Sequence, residues 1–299
     1  MSNPTIVCAG EVMIEMAAVA DTPNHFQQAL AGDSFNTAIY LARSGLPVTY
    51  LTKLGDDLFS SAIIEKLHQE GVGSDMIARL AGRKPGLYLV RNDSDGERHF
   101  TYWRENSPAR ELFDEPVQLP DTNVFYFTGV TIAVTRNGHA HLLTLLKQLA
   151  KSGCRIVFDP NYRPGLWPNR EQAEQHYRAV LPFCDTVLPT LDDETALWGT
   201  QTVDECHAFY DLYNVSELVI KAPDLTVTAF VGDQRVQRQA KVIKAIDTTG
   251  AGDAFNAAYL AGRLSGLEPG AAIDAGQDLA ARVVQHLGAL VERGLTATT

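Results

Sequence analysis

Between residues 124 and 221, short β-branched and aromatic runs alternate with stretches of helical periodicity. That alternation constrains the fold more than any other feature of the chain. The spacing predicts strands at 124–128, 155–158, 185–188 and 217–221, with helices at 138–151, 171–181, 192–198 and near 203–213 between them. Strands joined through helices pair in parallel by right-handed crossovers, so the expected fold class is α/β, with helices on both faces of the sheet. The same rhythm opens the chain: strand 5–9, helix 34–44 ended by Gly45, strand 48–51, and helix 58–69 stopped at Gly71. It closes with a strand pair, 226–231 and 234–239, turning at Gly232-Asp233, then helices 251–265 and 269–286. One segment breaks the pattern. Strands at 86–91 and 98–104 flank the turn-rich Asn92-Asp93-Ser94-Asp95-Gly96, which is a hairpin signal. It reads as an insertion or lid rather than a core pair.

In open α/β sheets ligands bind beyond the carboxyl ends of the strands. Asp159, Asn161, Asp193 and Asp253 all fall just past an expected strand or in the turn after one. A chain of 299 residues can bury one large α/β domain or two ordinary ones. Its formal charge of −11 argues against a nucleic-acid surface, which needs clustered Lys and Arg, but leaves room for a small anion held by a few local cations. The four cysteines show no metal or redox spacing and read as reduced thiols. No signal-type segment or membrane-length apolar run is present, so a cytoplasmic location without nucleic-acid or membrane partners is expected. The tail 295–299 is expected to fray.

The segment Asp247-Thr248-Thr249-Gly250-Ala251-Gly252-Asp253-Ala254-Phe255 carries the most chemistry. Glycines let backbone approach a ligand, and the first N–H groups of a helix are anion donors. Asp253 would repel the anion those donors attract. A general base beside a hole for developing phosphoryl charge accounts for both. A plain connecting turn with Asp as a helix-start charge accounts for them too. The segment is neither a Walker A loop nor a dinucleotide fingerprint, since no Gly-x-x-x-x-Gly-Lys-Ser/Thr occurs and Phe255 stands where a third glycine would be needed.

Paired with Ala31-Gly32-Asp33-Ser34-Phe35-Asn36-Thr37-Ala38, this segment resembles the ribokinase-like (PfkB) family of carbohydrate kinases over nearly the full length. Within that family, Tyr102-Trp103-Arg104-Glu105-Asn106-Ser107-Pro108-Ala109 and Asp159-Pro160-Asn161-Tyr162-Arg163-Pro164-Gly165-Leu166-Trp167 are similar to bacterial 2-keto-3-deoxygluconate kinases. The resemblance implies a Rossmann-like ribokinase fold as a single domain over 1–299, with a small β-sheet lid built from insertions near 12–30 and 85–107. It implies transfer of the ATP γ-phosphoryl group to the 6-hydroxyl of a sugar acid, with Asp253 as base and Gly250, Ala251 and Gly252 as anion hole. It places Gly32, Asp33, Asn36, Tyr88, Tyr102, Arg104, Arg163 and Asp253 at the substrate, and Asn161, Arg163, Lys221, Asp224, Gly250 and Gly252 at the nucleotide. Guanidinium suits a sugar-acid carboxylate, and alternation puts Tyr102 and Arg104 on one strand face. Mg²⁺ is the implied metal, with Asp193 and Glu194 as candidates acting through water; K⁺ dependence stays open. A homo-oligomer through the lid is the implied assembly.

The chain departs from the family twice. Thr190-Leu191-Asp192-Asp193 lacks the Asn of an Asn-x-x-Glu element, and Lys221-Ala222-Pro223-Asp224-Leu225-Thr226 lacks both glycines of a Lys-x-Gly-x-x-Gly turn. A fructokinase or another sugar kinase of the family, and a sugar-binding regulator with impaired catalysis, are the alternatives.

Overall fold

The computed structural model describes residues 4–19, 22, 24–92 and 98–295. The expected turn at 93–96 and the tail 296–299 lie outside the described residues. In chain order the strands are β1 Ile6–Ala9, β2 Met13–Ala18, β3 Phe26–Ala31, β4 Val48–Gly55, β5 Val72–Gly73, β6 Ile77–Leu80, β7 Leu87–Asn92, β8 Arg98–Trp103, β9 Val124–Thr128, β10 Arg155–Asp159, β11 Thr186–Val187, β12 Glu217–Lys221, β13 Thr226–Val231 and β14 Gln234–Gln239. The helices are α1 Asp33–Arg43, α2 Leu58–Glu70, α3 Gly129–Val134, α4 His139–Lys151, α5 Arg170–Val180, α6 Leu191–Trp198, α7 Val203–Asp211, α8 Ala251–Leu264 and α9 Pro269–Val283.

The main sheet runs β14-β13-β12-β11-β10-β9-β1-β4-β5, with β6 also paired to β4. Its pairings are parallel from β12 through β4, and only β13 and β14 join antiparallel. Alternation explains how one sheet supports two cores. Ile6, Cys8, Val124 and Tyr126 pack with α1, α8 and α9 around Phe35, Tyr259 and Ile273. Their neighbours Val7, Ala9, Phe125 and Phe127 point to the opposite face, against Leu146, Phe158 and Tyr177. β1 lies between β9 and β4, so the chain order reverses across the β9–β1 pair, and a crevice opens beyond the carboxyl ends there.

A second sheet, β3-β2-β7-β8, stands apart from the first. β2 pairs in parallel with β7, while β2–β3 and β7–β8 are antiparallel. The out-of-rhythm hairpin is therefore half of this small sheet, and the 12–30 segment supplies the other half. Several details differ from the sequence expectation: β5 and β6 were not expected, β11 covers only Thr186–Val187, α7 ends at Asp211, and α9 ends at Val283 rather than at 286. β4 continues to Gly55 because its second half gains a parallel partner in β6. α3 is six residues long, too short for periodicity to register, and is held by a capping box between Thr128 and Thr131. Gly71 ends α2 at φ 77, in the left-handed region where a glycine avoids the Cβ penalty.

Candidate active site

A cleft of about 850 Å³ separates the inner face of the small sheet from the carboxyl ends of the main sheet. Gly32, Asp33 and Asn36 enter it from the start of α1, Tyr88, Tyr102 and Arg104 from the small sheet, Asn161 and Arg163 from the loop after β10, Lys221 from the end of β12, and Gly250, Gly252 and Asp253 from the start of α8. Ala251, Glu194 and Asp224 from the expected set do not line it.

Polar side chains tie these elements together. Asn36 Nδ2 donates to Asp253 Oδ2 at 2.8 Å, so α1 orients the carboxylate on α8. Asn161 Nδ2 donates to Asp33 Oδ2 at 2.7 Å, and Asp33 Oδ1 accepts from the Ser34 N–H at 2.7 Å. Asn161 thus joins the α1 group; its φ of 34 lies in the region Asn tolerates better than most residues. Gly32 is a matter of space: a Cβ there would sit 2.2 Å from the Glu11 carbonyl oxygen.

The two glycines before Asp253 differ in their reasons. Gly250 has φ 76, and a Cβ on it would lie 2.7 Å from the Ala289 Cβ, so the fold itself demands glycine. A Cβ at Gly252 would meet nothing within 4 Å, so protein packing does not demand glycine there, and the open space faces the cleft. Ala251 N–H donates to the Thr248 carbonyl at 3.3 Å. Asp247 fixes the turn: Oδ1 accepts from Thr249 N–H at 2.8 Å and Oδ2 from Gly288 N–H at 2.9 Å.

Burial dominates the electrostatics. Enclosure, with Asp33 and Asp159 nearby, pushes the Asp253 carboxyl well above the usual carboxylate range, opposed by the Asn36 hydrogen bond. Burial pushes Asp159 up to about 6. Asn256 Nδ2 donates to Asp159 Oδ2 at 2.8 Å while Asn256 Oδ1 accepts from Lys221 Nζ at 2.8 Å, so one amide spans a buried acid and a buried amine. Lys221 also donates to the Leu188 carbonyl at 2.7 Å, and burial lowers its pKa.

Arg163 is not a free cation, since Nη1 lies 3.1 Å from both carboxylate oxygens of Asp193. Asp193 lines the cleft, but Glu194 is fully buried behind it, and burial pushes Glu194 up to about 8. Asp193, and not Glu194, is the acid of this pair that reaches the cleft. Asp224 faces out and accepts from Thr226 N–H at 2.9 Å, closing the β12–β13 turn. That turn runs tight without the family's glycines, with Leu225 at φ 66. On the small sheet the Tyr88 and Tyr102 rings pack at 5.6 Å, Tyr88 donates to Glu15, and Arg104 pairs with Glu11. Glu11 and Asn256 were not among the expected site residues, and Asp159 was expected only as an acid past a strand end, without a role. Asp159 carried a signal, being an acid at a strand's carboxyl end; Glu11 and Asn256 carried none, because their partners are distant in sequence.

An acid at a helix start serves many enzymes; one roofed by a separate β-sheet at the switch point of an α/β sheet defines the ribokinase-like class of phosphotransferases. The sequence matches the pfkB family carbohydrate kinase over residues 3–292, and the chain belongs to that family. It is 36% identical over 306 residues to 2-dehydro-3-deoxygluconokinase of Dickeya dadantii (strain 3937), covering 97% of this chain and 98% of that one. It is similar in fold to 2-dehydro-3-deoxygluconokinase from Thermotoga maritima, with TM-score 0.85, 22% identity and 96% of each chain covered. It is likewise similar to fructokinase with bound ATP from Xylella fastidiosa, with TM-score 0.80, 24% identity, and 95% of this chain and 93% of that one covered. Among the described residues no helix is long and apolar enough to cross a membrane.

Proposed function

We propose that the protein is an ATP-dependent kinase that phosphorylates the 6-hydroxyl of 2-dehydro-3-deoxygluconate (2-keto-3-deoxygluconate), acting as one kinase domain with the small sheet as its lid. The near-full-length similarity to the Dickeya dadantii kinase supports the substrate, and the ATP-bound fructokinase supports the donor. The observation that carries the chemistry is Asp253, oriented by Asn36 at the mouth of α8 and half-buried in the cleft beside acids that keep its carboxyl basic. In this reading Asp253 takes the proton as the 6-oxygen forms its bond to the γ-phosphorus and the bond to ADP breaks. Gly250 and Gly252 bring backbone toward the transferring group.

Among the described residues no three His, Cys, Asp or Glu side chains converge as a metal cage. That fits Mg²⁺, which keeps several waters and rides on phosphates, with Asp193 able to hold one such water. The ion would supply charge neutralisation. Asp33 and Asn36 suit sugar hydroxyls, Tyr88 and Tyr102 suit the sugar's apolar face, and Arg104 suits the carboxylate. Trp103, 55% exposed on the outer side of the lid, supports assembly of a homo-oligomer there.

A coupled ADP-release assay across sugar acids and neutral ketoses tests the reading. Turnover confined to 2-keto-3-deoxy sugar acids is the expected result. A preference for fructose would overturn the substrate, and no turnover with any sugar would favour a binding regulator.

A further inference from the structure

Arg104 is the cation assigned above to the substrate carboxylate, yet it is 7% exposed and its Nη2 donates to Glu11 Oε2. Glu11 itself is 3% exposed, in the short link between β1 and β2 where the lid joins the main sheet. Both residues line the cleft. Two further atoms of this pair, Glu11 Oε1 and Arg104 Nε, are buried with no hydrogen-bond partner in the protein. Buried charged groups rarely leave such atoms unmet, because each carries its full desolvation cost. Half-satisfied polar atoms in a cleft wall belong to a pair that a ligand completes.

The surroundings are built to hold this pair. A Cβ at Gly86 would stand 3.1 Å from Glu11 Oε1 and 3.2 Å from Arg104 Cβ, so glycine there leaves the two side chains their room. The Gly32 backbone presses on the Glu11 carbonyl from the other side, linking the pair to the sugar-binding start of α1. The Tyr102 ring centroid lies 5.7 Å from the Arg104 guanidinium carbon.

We propose that Glu11 is the positioning residue for substrate selection: it anchors one end of the Arg104 guanidinium so that the remaining N–H groups meet the sugar-acid carboxylate, while its second oxygen accepts a substrate hydroxyl. Guanidinium offers five donors in a planar fork, enough for Glu11 and a ligand together. A neutral sugar can satisfy Glu11 but leaves the rest of the fork unmet. The pair therefore reads a carboxylate and a neighbouring hydroxyl jointly. This inference rests on the sugar-acid reading above.

A double-mutant cycle separates the two. KM, kcat and thermal midpoint are measured for E11A, E11Q, R104A and E11A/R104A with the sugar acid and with a neutral ketose. E11A should raise the sugar-acid KM about tenfold or more with kcat within about threefold, as expected for truncating one partner of a buried charge pair. E11Q, which keeps an oxygen for Nη2, should recover part of that loss. The double variant should lose clearly less than the sum of the two single losses, because Glu11 acts partly through Arg104 and partly through its own contact with a hydroxyl. If E11A does not fold, E11Q with E11Q/R104A gives the same cycle. Additive losses, or equal losses for both sugars, would overturn the role of Glu11. If R104A itself fails to discriminate sugar acid from ketose, the substrate reading falls instead.

Discussion

Replacing Asp253 with Asn tests the base assignment with the least disturbance. The two side chains are nearly isosteric, and the amide oxygen of the replacement could still accept the 2.8 Å hydrogen bond that Asn36 Nδ2 now gives to Asp253 Oδ2. Geometry and sugar contacts should persist while the proton acceptor is lost. A positioned general base contributes about 10²–10⁴ in rate, or about 3–5 kcal/mol of barrier. Turnover in a coupled ADP assay should fall by that factor, with sugar-acid and nucleotide affinities by calorimetry changing only about twofold. Stability should move the other way. The folded Asp253 carboxyl is pushed up, mainly by burial, so its contribution is present below the unfolded carboxylate range and lost as pH rises through the folded value. Above that point the ionised, enclosed Asp253 weakens the fold. The Asn variant should therefore melt higher than the parent at pH 8 and nearly level with it at acidic pH. Turnover within about tenfold of the parent would refute the base assignment, and an unchanged melting difference across pH would refute the burial argument.

Three further outcomes follow from the same geometry. Asp159 is pushed up to about 6 by burial, so the ligand-free protein should lose stability as pH rises from about 4 through about 6, and D159N should flatten that part of a melting-temperature profile. Gly250→Ala places a Cβ 2.7 Å from Ala289 at φ 76 and should lower the thermal midpoint along with activity, whereas Gly252→Ala meets nothing within 4 Å and should spare the midpoint while reducing turnover. Equal thermal effects in the two variants would contradict the division of roles. Trp103→Ser removes a side chain 55% exposed on the outer lid and should shift the mass measured by light scattering toward the monomer; an unchanged mass would place any assembly elsewhere.

Elements written in local pattern were legible in the sequence. The strands 217–221, 226–231 and 234–239 coincide with β12, β13 and β14, because turn residues bound each run. Helix starts and stops were legible for the same reason, as at Gly71. The small sheet was visible only as a rhythm break plus a resemblance: β2 and β3 are too mixed in burial to alternate cleanly. Site residues on element ends were legible as types, but their partners were not. Asn36 reaches Asp253 across 217 residues and Arg104 reaches Glu11 across 93, and no local pattern encodes such distances. Arg104 and Arg163 therefore read as free cations in sequence, while folding pairs each with an acid.

Those pairings decide how the donor can enter. The cleft is lined by Glu11, Asp33, Asp159, Asp192, Asp193 and Asp253 against Arg104, Arg163 and Lys221. Arg104 is committed to Glu11, Arg163 to Asp193, and Lys221 to Asn256 and the Leu188 carbonyl. Each of these cations already has a protein partner, so positive charge brought with the nucleotide would ease its entry into this acid-rich cleft. Its arrival changes the base as well. The carboxyls of Asp253, Asp159 and Asp193 are pushed up in the ligand-free cleft, with burial the leading cause, and added positive charge favours their ionised forms. Asp253 then becomes a ready base chiefly when the donor is present. The acid limb of kcat, which reports the loaded enzyme, should lie at lower pH than the acid limb of kcat/KM for the donor, which reports the donor-free form. Coincident limbs would mean that donor binding leaves Asp253 unchanged, and the coupling between base and nucleotide would fail.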